Sequence, residues 1–480
     1  MAIVKLPVNQ KTYRNADDEE LNVLGDKLID GVVNEFPHTK KRFGLKEFVN
    51  LGTARQIDGL YYWDDKNTVM AISKGKVFKI EEDKSITDLT GIELEKDKST
   101  TFIDGISQGT RYLFMANGSK VVYTDNSNVT DTLSGSSVPT SVSSVAILDN
   151  YLLVNEDGAN TFKWSGNTSG VIDPLAWSIG DGNSSASAES NPDNILSVIV
   201  LKNEIYLIGR ETIEVWYNQG VVGIPFIRIG GAFVQRGCIA KDSVQIINDT
   251  FYWLDNERRV SRLVGRNFQV VDTPFAKEFQ SFNNVSDAIG NHIQVDGNGY
   301  YMINFPSERR SYVFDYINNE WSELSYWNTA TAERENFLGQ HSIFATRWNK
   351  HLVGSRIDGK IYEISFKFYD DDGSPIRFEK TTGNINHGST SEKASTALFF
   401  RLLRGQANVV SPKLLYSFRD NGKNSWSNEI PIDLGSLGDT ELVKELRPMG
   451  TYRERQHKFV VTDDVPFTII DVEEEVRTIK

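Results

Sequence analysis

The residues best suited to chemistry in this chain are few and scattered. SFRDNGKNSW, from Ser417 to Trp426, has the outline of an Asp-box turn. There Asp420 could accept backbone N–H groups of its own turn while Trp426 packs beneath it. Such a turn braces a hairpin and does no chemistry. DNSNVTD from Asp125 and YDDDG from Tyr369 set carboxylates at spacings a calcium loop uses. Neither continues with the glycine and distal glutamate of a helix–loop–helix site, so both read as solvated turns. VDGNGYY from Val295 reads as a tight hairpin turn. The six histidines (His38, His292, His341, His351, His387 and His457) stand singly, without ligand-pair spacing. Arg258, Arg259 and Arg262 are close in sequence, but strand spacing would not converge them on one pocket. No nucleophile elbow, Walker loop or dinucleotide fingerprint is present. Cys238, the single cysteine, lies in AFVQRGCIAKDSV with no histidine beside it. It reads as a buried structural thiol and excludes an intrachain disulfide. The residues make no case for catalysis, a metal or a cofactor.

The elements that would position any site follow one phrase: a turn, an aromatic and β-branched run, a second turn, a second run. It returns seven times, beginning at Gly59, Gly109, Asp149, Lys202, Asn248, Gly297 and Lys350. GTRYLFMANGSKVVYTD and KNEIYLIGRETIEVWYN are typical instances. Their spacing of roughly 40–55 residues is that of β-propeller blades. A lone hairpin cannot bury its apolar face, so neighbouring repeats must stack into shared cores. The expected fold is all-β: a propeller of six to eight blades over 51–368, an irregular N-terminal arm over 1–50, and a C-terminal antiparallel sandwich over 369–480. The sandwich rests on the strand-like runs ALFFRLLRG, KLLYSFRD, HKFVVTDD and PFTIIDVEEEV. GDGNSSASAESNPDN from Gly180 and SYWNTATAERENFLGQH from Ser325 read as long polar loops. Phe275–His292 alone has modest helical character among the repeats.

Composition narrows the function classes. Hydrophobic residues at 39% and charged residues at 24% are ordinary, and aromatics at 11% suit strands. No apolar run approaches the ~20 residues that span a bilayer, and the opening MAIVKLPVNQ has no signal-peptide core. A net charge of −13 disfavours gripping nucleic acid over the whole surface, though DNA could slide past such a surface without sticking. The basic cluster Lys40, Lys41, Arg42 and Lys46 in NEFPHTKKRFGLKEF is either a solvated loop or a docking surface for an acidic partner or phosphates.

The middle of the chain carries a more specific likeness. VIVLKNEIYLIGRETIEVWYNQG and PFIRIGGAFVQRGCIAKDSVQIINDTFYWLDNERRV resemble the packaged-DNA stabilization proteins, or tail hub and nozzle proteins, of short-tailed bacteriophages. The matching residues are Gly209, Thr212, Ile213, Glu214 and Trp216, then Gln235, Gly237 and Ala240, then Trp253 and Leu254. YRNAD, NEFPHTKKRFGL and the closing RPMGTYRERQHKFVVTDDVPFTIIDVEEE are similar to the same family's ends. The resemblance implies a non-catalytic virion protein without cofactors, forming a ring of six copies below portal and head-to-tail adaptor. Such a ring extends the DNA channel, helps retain the genome and carries a tail needle, spikes or fibres. Double-stranded DNA would pass through its lumen without sequence-specific binding. The place implied is the virion tail, assembled in the host bacterial cytoplasm, with no membrane segment. At −13 per copy the lumen is expected to be acidic. The N-terminal basic cluster is the expected adaptor-docking segment. The alternative is a carbohydrate-binding or carbohydrate-active tail propeller, motivated by the Asp-box-like turn and abundant surface aromatics.

Overall fold

The computed structural model describes residues 2–8, 27–33, 38–188, 193–221, 223–404, 409–436, 439 and 441–479. Seven antiparallel blades of four strands follow one another from Ile57 to Ser365, the second, sixth and seventh continuing into sheets of five, ten and six strands. Their first strands are Ile57–Trp63, Thr101–Ser107, Val145–Leu148, Ile195–Leu201, Gln245–Ile247, Ile289–Val295 and Gly339–Ala345, which open blades 1 to 7. Each repeated phrase of the sequence falls in one blade. The seventh sheet takes its outer strand from far upstream: Gly44–Asn50 pairs antiparallel with Lys360–Ser365. That strand closes the ring.

The cores explain why the second strand of each blade reads as a continuous apolar run rather than an alternation. Such a strand is covered on both faces. In Thr68–Ser73, Val69 and Ala71 join a cluster with blade 7, while Met70 and Ile72 join one with blade 2. In Asn298–Phe305, Tyr301 and Ile303 face blade 5, and Tyr300 and Met302 face blade 7. Seven such clusters bridge every consecutive pair of blades, including the seventh to the first. A second device recurs where the second strand ends. There a short polar side chain braces the next turn or the preceding connection. Ser73 Oγ donates to Gln56 O at 2.9 Å and Asn155 Oδ1 accepts Ser144 N at 2.9 Å. Asp255 Oδ1 accepts Glu257 N and Arg259 N at 2.9 and 3.0 Å.

The C-terminal sandwich has the expected strands, Lys393–Leu403, Lys413–Asp420, Arg455–Val461 and Thr468–Thr478, closing on Leu398, Phe400, Tyr416, Phe459 and Val461. One of its sheets is hydrogen-bonded into the propeller. Lys27–Ile29 pairs antiparallel with Phe378–Thr381 and, at Ile29, parallel with Glu320–Asn328, the outer strand of blade 6. The result is one ten-stranded sheet across both units.

Three expectations are corrected here. The described residues of 1–50 form no separate arm. Ala2–Lys5 and Thr39–Lys41 pair with Thr468–Thr478, and Gly44–Asn50 belongs to blade 7. The propeller therefore begins at Gly44; YRNAD and Pro37 lie outside the described residues. The polar stretch from Gly180 contains Ser184–Ser187, the outer strand of blade 3. The stretch from Ser325 is a hairpin in which Glu333–Asn336 pairs with Glu320–Asn328. Outer strands face water, so polar residues suit them and hide them from an apolar-pattern reading. Of the expected helical segment Phe275–His292 only Ala276–Ser281 is α-helical, and its end enters the strand Ile289–Val295.

The seam between propeller and sandwich is built on Arg42, whose side chain is fully buried. All five of its N–H groups have partners. Nε donates to Asp30 Oδ1 at 2.8 Å. Nη1 donates to Asp371 Oδ1 at 2.9 Å and Phe43 O at 2.8 Å. Nη2 donates to Asp371 Oδ2 at 2.6 Å and Ser325 O at 2.7 Å. Arg334 extends the cluster, reaching Asp30 at 2.9 Å and Glu379 of the sandwich at 3.2 Å. Burial works against the Arg42 charge, but Asp371 and Asp30 outweigh it and hold the guanidinium protonated. Lys41 beside it is pushed down to about 8, chiefly by burial, with Asp464 opposing. Its Nζ donates to Asp463 O at 2.8 Å and Tyr369 O at 3.1 Å.

Three outcomes follow from this arrangement. Leu45→Ala, in the buried face of the closing strand, should lower unfolding free energy by about 2–5 kcal/mol. Exposed Lys46→Ala should stay within about 0.5 kcal/mol; urea denaturation compares them. Arg42→Met should cost about 3–5 kcal/mol by stranding two buried carboxylates, and adding Asp30→Asn with Asp371→Asn should recover part of it. Lys41 binds its proton less tightly folded than unfolded. Its contribution to stability is therefore unfavourable below pH 8 and should improve as pH rises from about 8 towards 10.5. Wild type minus Lys41→Met, measured by denaturation across that window, should show this positive slope; a flat difference contradicts it.

Candidate functional site

The signature residues come together at the junction of blades 4 and 5. The Asp193 carboxylate accepts the N–H groups of Arg210, Glu211 and Thr212 at 2.6, 2.6 and 3.1 Å, and so holds the turn that follows Gly209. A Cβ on Gly209 would lie 2.4 Å from Asp193 Oδ2, and one on Gly237 would lie 2.0 Å from Arg210 O. Only glycine allows either approach. Gly209 O accepts Cys238 N at 2.9 Å, and Trp253 Nε1 donates to Gly237 O at 3.0 Å. Ile213 and Trp253 are buried in the blade 4–5 cluster. Glu214 Oε2 accepts Trp216 Nε1 at 3.0 Å, and Trp216 meets Phe162 of blade 3 edge-on at 5.3 Å. Gln235 is exposed and stands outside this cluster. The arrangement locks three blades together. Asp193, which anchors it, was hidden in sequence by its polar setting. Cys238 is buried, its Sγ donating to Ala240 O at 3.0 Å, and burial pushes the thiol up to about 12.

The proposed docking cations do not form one surface. Lys41 and Arg42 are interior parts of the seam, so that assignment is corrected for both. Their segment is enclosed by propeller and sandwich, and the charges serve internal partners. Lys40 lies 4.1 Å above the Phe366 ring, and Lys46 is exposed 5.8 Å from the Phe368 ring. The Asp-box-like turn is structural, but Asp420 and Trp426 have partners other than those expected. Asp420 takes two bonds from buried Arg455, at 2.7 and 3.0 Å. Trp426 lies under Arg419 and Lys458, at 4.8 and 4.6 Å. In the same interior, Glu474 accepts Tyr452 Oη at 2.7 Å and pairs with His387 at 3.0 Å. Burial opposes the Glu474 charge, yet its hydrogen bonds and the nearby imidazole hold it down to about 2.

Two cavities lie along the propeller axis. A cavity of about 520 Å³ opens among Lys98, Lys241, Arg309 and Arg356 and, in equal number, Asp97, Asp242, Asp287 and Glu335. Arg356 pairs with Glu335 at 2.7 Å and Lys241 with Asp242 at 3.2 Å. A second cavity of about 380 Å³ lies along the inner strands of blades 2 to 5 and shares Ser99, Lys241 and Asp242 with the first. His341, half-buried beside this waist, is pushed down to about 4, chiefly by loss of solvation. Balanced charge gives the mouth no grip on a phosphate chain. The arginines at 258, 259 and 262 diverge, to Phe282 O, Asp272 and Gln269 respectively. Asp125 accepts the N–H of Ser127 in its own turn, and Asp372 pairs with Lys360. Among the described residues no group of carboxylates, histidines and cysteine is arranged to hold a metal ion.

Three solved structures similar to this chain have TM-scores below 0.5 and identities of 9–11%. One is the extracellular domain of a one component system from B. thetaiotaomicron: 11% identity, 67% of this chain and 40% of that chain covered, TM-score 0.45. Another is an auxiliary nutrient binding protein from Bacteroides thetaiotaomicron VPI-5482: 10% identity, 66% and 69% covered, TM-score 0.36. A third is the N-terminal domain of Nup159: 9% identity, 71% and 99% covered, TM-score 0.40. This chain thus spans less than half the length of the first. No curated protein matches it. A family model does, over residues 44–369, from the first residue of the ring-closing strand to just beyond the last strand of blade 7. That unit, a closed propeller with the blade 4–5 signature inside it, makes the chain a member of the Bacteriophage P22 Gp10 β-propeller family of phage stabilization proteins.

Proposed function

We propose that this chain is a structural component of a short-tailed phage, forming a tail hub or nozzle ring of six copies below the portal and adaptor. The ring extends the DNA channel, helps retain the packaged genome, and bears the needle, spikes or fibres on its distal side. It assembles in the host cytoplasm. The observation that carries this reading is the family match across the whole closed propeller. The build of the molecule supports it. The ring is sealed by its own upstream strand, and the sandwich continues one sheet out of blade 6. Both features suit a scaffold that must hold its shape under the pressure of packaged DNA.

The channel in this reading belongs to the assembled ring. Among the described residues the axis of a single propeller holds cavities of about 520 and 380 Å³. The chain's net charge of −13, repeated around the ring, gives the lumen an excess of carboxylates past which DNA slides during ejection. The role is mechanical and electrostatic, not enzymatic. The carbohydrate alternative loses one of its two motivations, because Asp420 braces Arg455 rather than an Asp-box turn.

A phage carrying a nonsense codon in the gene for this chain tests the proposal. The expected particles fill with DNA and then release it, so that their genomes become sensitive to nuclease. Stable, nuclease-resistant, filled particles lacking this chain would refute the reading.

A further inference from the structure

The larger axial cavity is lined by polar side chains that the fold itself leaves unused. Asn336 and Gln340 both line it, although they are only 5 and 3% exposed. Among the described residues neither the Asn336 carboxamide nor Gln340 Oε1 has a hydrogen-bond partner, whereas Gln340 Nε2 donates to Ile57 O at 2.9 Å. The small part of each side chain that stays open therefore faces the cavity. Gln56, next to Ile57, adds a third amide: its Nε2 donates to Asp58 Oδ1 at 2.9 Å and leaves Oε1 free. Arg309 and Lys98 complete the lining at the rim, both exposed and, among the described residues, unpaired to any carboxylate. An interior amide without a partner is costly, so a cluster of them marks a place where something outside the chain supplies the bonds.

The wall that carries these groups is fixed in advance. Arg356 Nη2 donates to Glu335 Oε2 at 2.7 Å, and its Nε to Asn336 O at 3.3 Å and Phe337 O at 3.2 Å. Asn328 Nδ2 donates to the other Glu335 oxygen at 2.8 Å. The segment presenting Asn336 is thereby held before anything enters, which lowers the entropy lost on binding. The remaining wall charges largely cancel: Lys241 pairs with Asp242 at 3.2 Å, and Arg55 with Asp97 at 3.5 Å.

We propose that this cavity binds an uncharged saccharide. Three properties select that chemistry. A carboxamide sets a donor beside an acceptor, which matches adjacent hydroxyls that each donate and accept. The lining holds four cations and four carboxylates, so a phosphate or sulfate gains little from it. Its apolar members are Ile289 and Pro306 alone, too few for a lipid or an aromatic ligand. The volume of about 520 Å³ lies within the roughly 300–1,000 Å³ of pockets that enclose small molecules. In the complex Asn336 bridges two adjacent hydroxyls, the free oxygens of Gln340 and Gln56 accept from others, and Arg309 donates at the rim. This is a binding function with no bond cleavage, and it does not rest on the tail-hub reading.

A glycan array carrying neutral, phosphorylated and sulfated oligosaccharides, probed with the full chain, tests the site. The chain should retain neutral oligosaccharides. Asn336→Leu, whose carboxamide has no internal bond to lose, and Arg309→Ala at the exposed rim should each weaken that retention at least tenfold at an unchanged melting temperature. Lys46→Ala, on the outer strand of blade 7, should leave it as in wild type. No retention, retention confined to phosphorylated or sulfated glycans, or retention that survives both cavity variants would each overturn the proposal. The tail-hub reading is decided separately, by the nuclease sensitivity of particles lacking the chain.

Discussion

A blade with two apolar faces cannot cover both by itself, and every other feature of this molecule answers that constraint. Each second strand sends alternate side chains to opposite neighbours, so a blade without flanking blades would expose a face at once. The chain must return to its start, and Gly44–Asn50 does this by completing blade 7. Closure joins residues more than three hundred positions apart, so the ring gains its last interface only when the seventh blade has formed. Cooperativity of this kind favours a rigid, all-or-none scaffold.

The same return of the chain explains why so much charge is buried near residue 42. The segment that closes the ring must pass between propeller and sandwich, where backbone and side chains lose water from both sides. A lysine there loses basicity, as Lys41 does. An arginine with five fixed donors can be fully satisfied, as Arg42 is. Buried ion clusters add little net stability over an apolar substitute but penalise misalignment heavily. The seam cluster therefore works as a register device: Asp30, Ser325, Asp371 and Glu379 meet only when three distant segments dock correctly.

Sequence periodicity located all seven blades and the four long strands of the sandwich, because those strands are defined by burial on one or two faces. It did not locate the outer strands of blades 3 and 7 or the Glu333–Asn336 hairpin. Solvent-facing strands need no apolar code, and Gly44–Asn50 pairs with a partner at the far end of the chain. The basic cluster misled for a related reason. Charge in sequence reports composition, whereas the role of Arg42 depends on Asp371, 329 positions away. The signature residues were legible as a motif, but their purpose was not. Gly209 leaves room for the Asp193 carboxylate and Gly237 for the Arg210 carbonyl, and Asp193 itself was hidden in a polar stretch. The polar residues ending the second strands, Ser73, Asn155 and Asp255 among them, recur in sequence but become recognisable as braces only once their partners are known.

The coupling between propeller and sandwich decides how the molecule could act in a ring. Two domains touching through side chains alone would tilt against each other, since such interfaces rarely restrain orientation tightly. Here the sheet runs through the contact, with Lys27–Ile29 bonded to blade 6 on one side and the sandwich on the other. The Arg42 cluster lies beside that strand and fixes the third direction. Bending at the seam would have to break ladder bonds and expose paired charges together, each expensive in a water-poor interior. A unit of this stiffness holds propeller and sandwich at one angle, which the ring proposed above would require of every copy. The seam, more than any cavity, is where the sequence commits this chain to being a structural part.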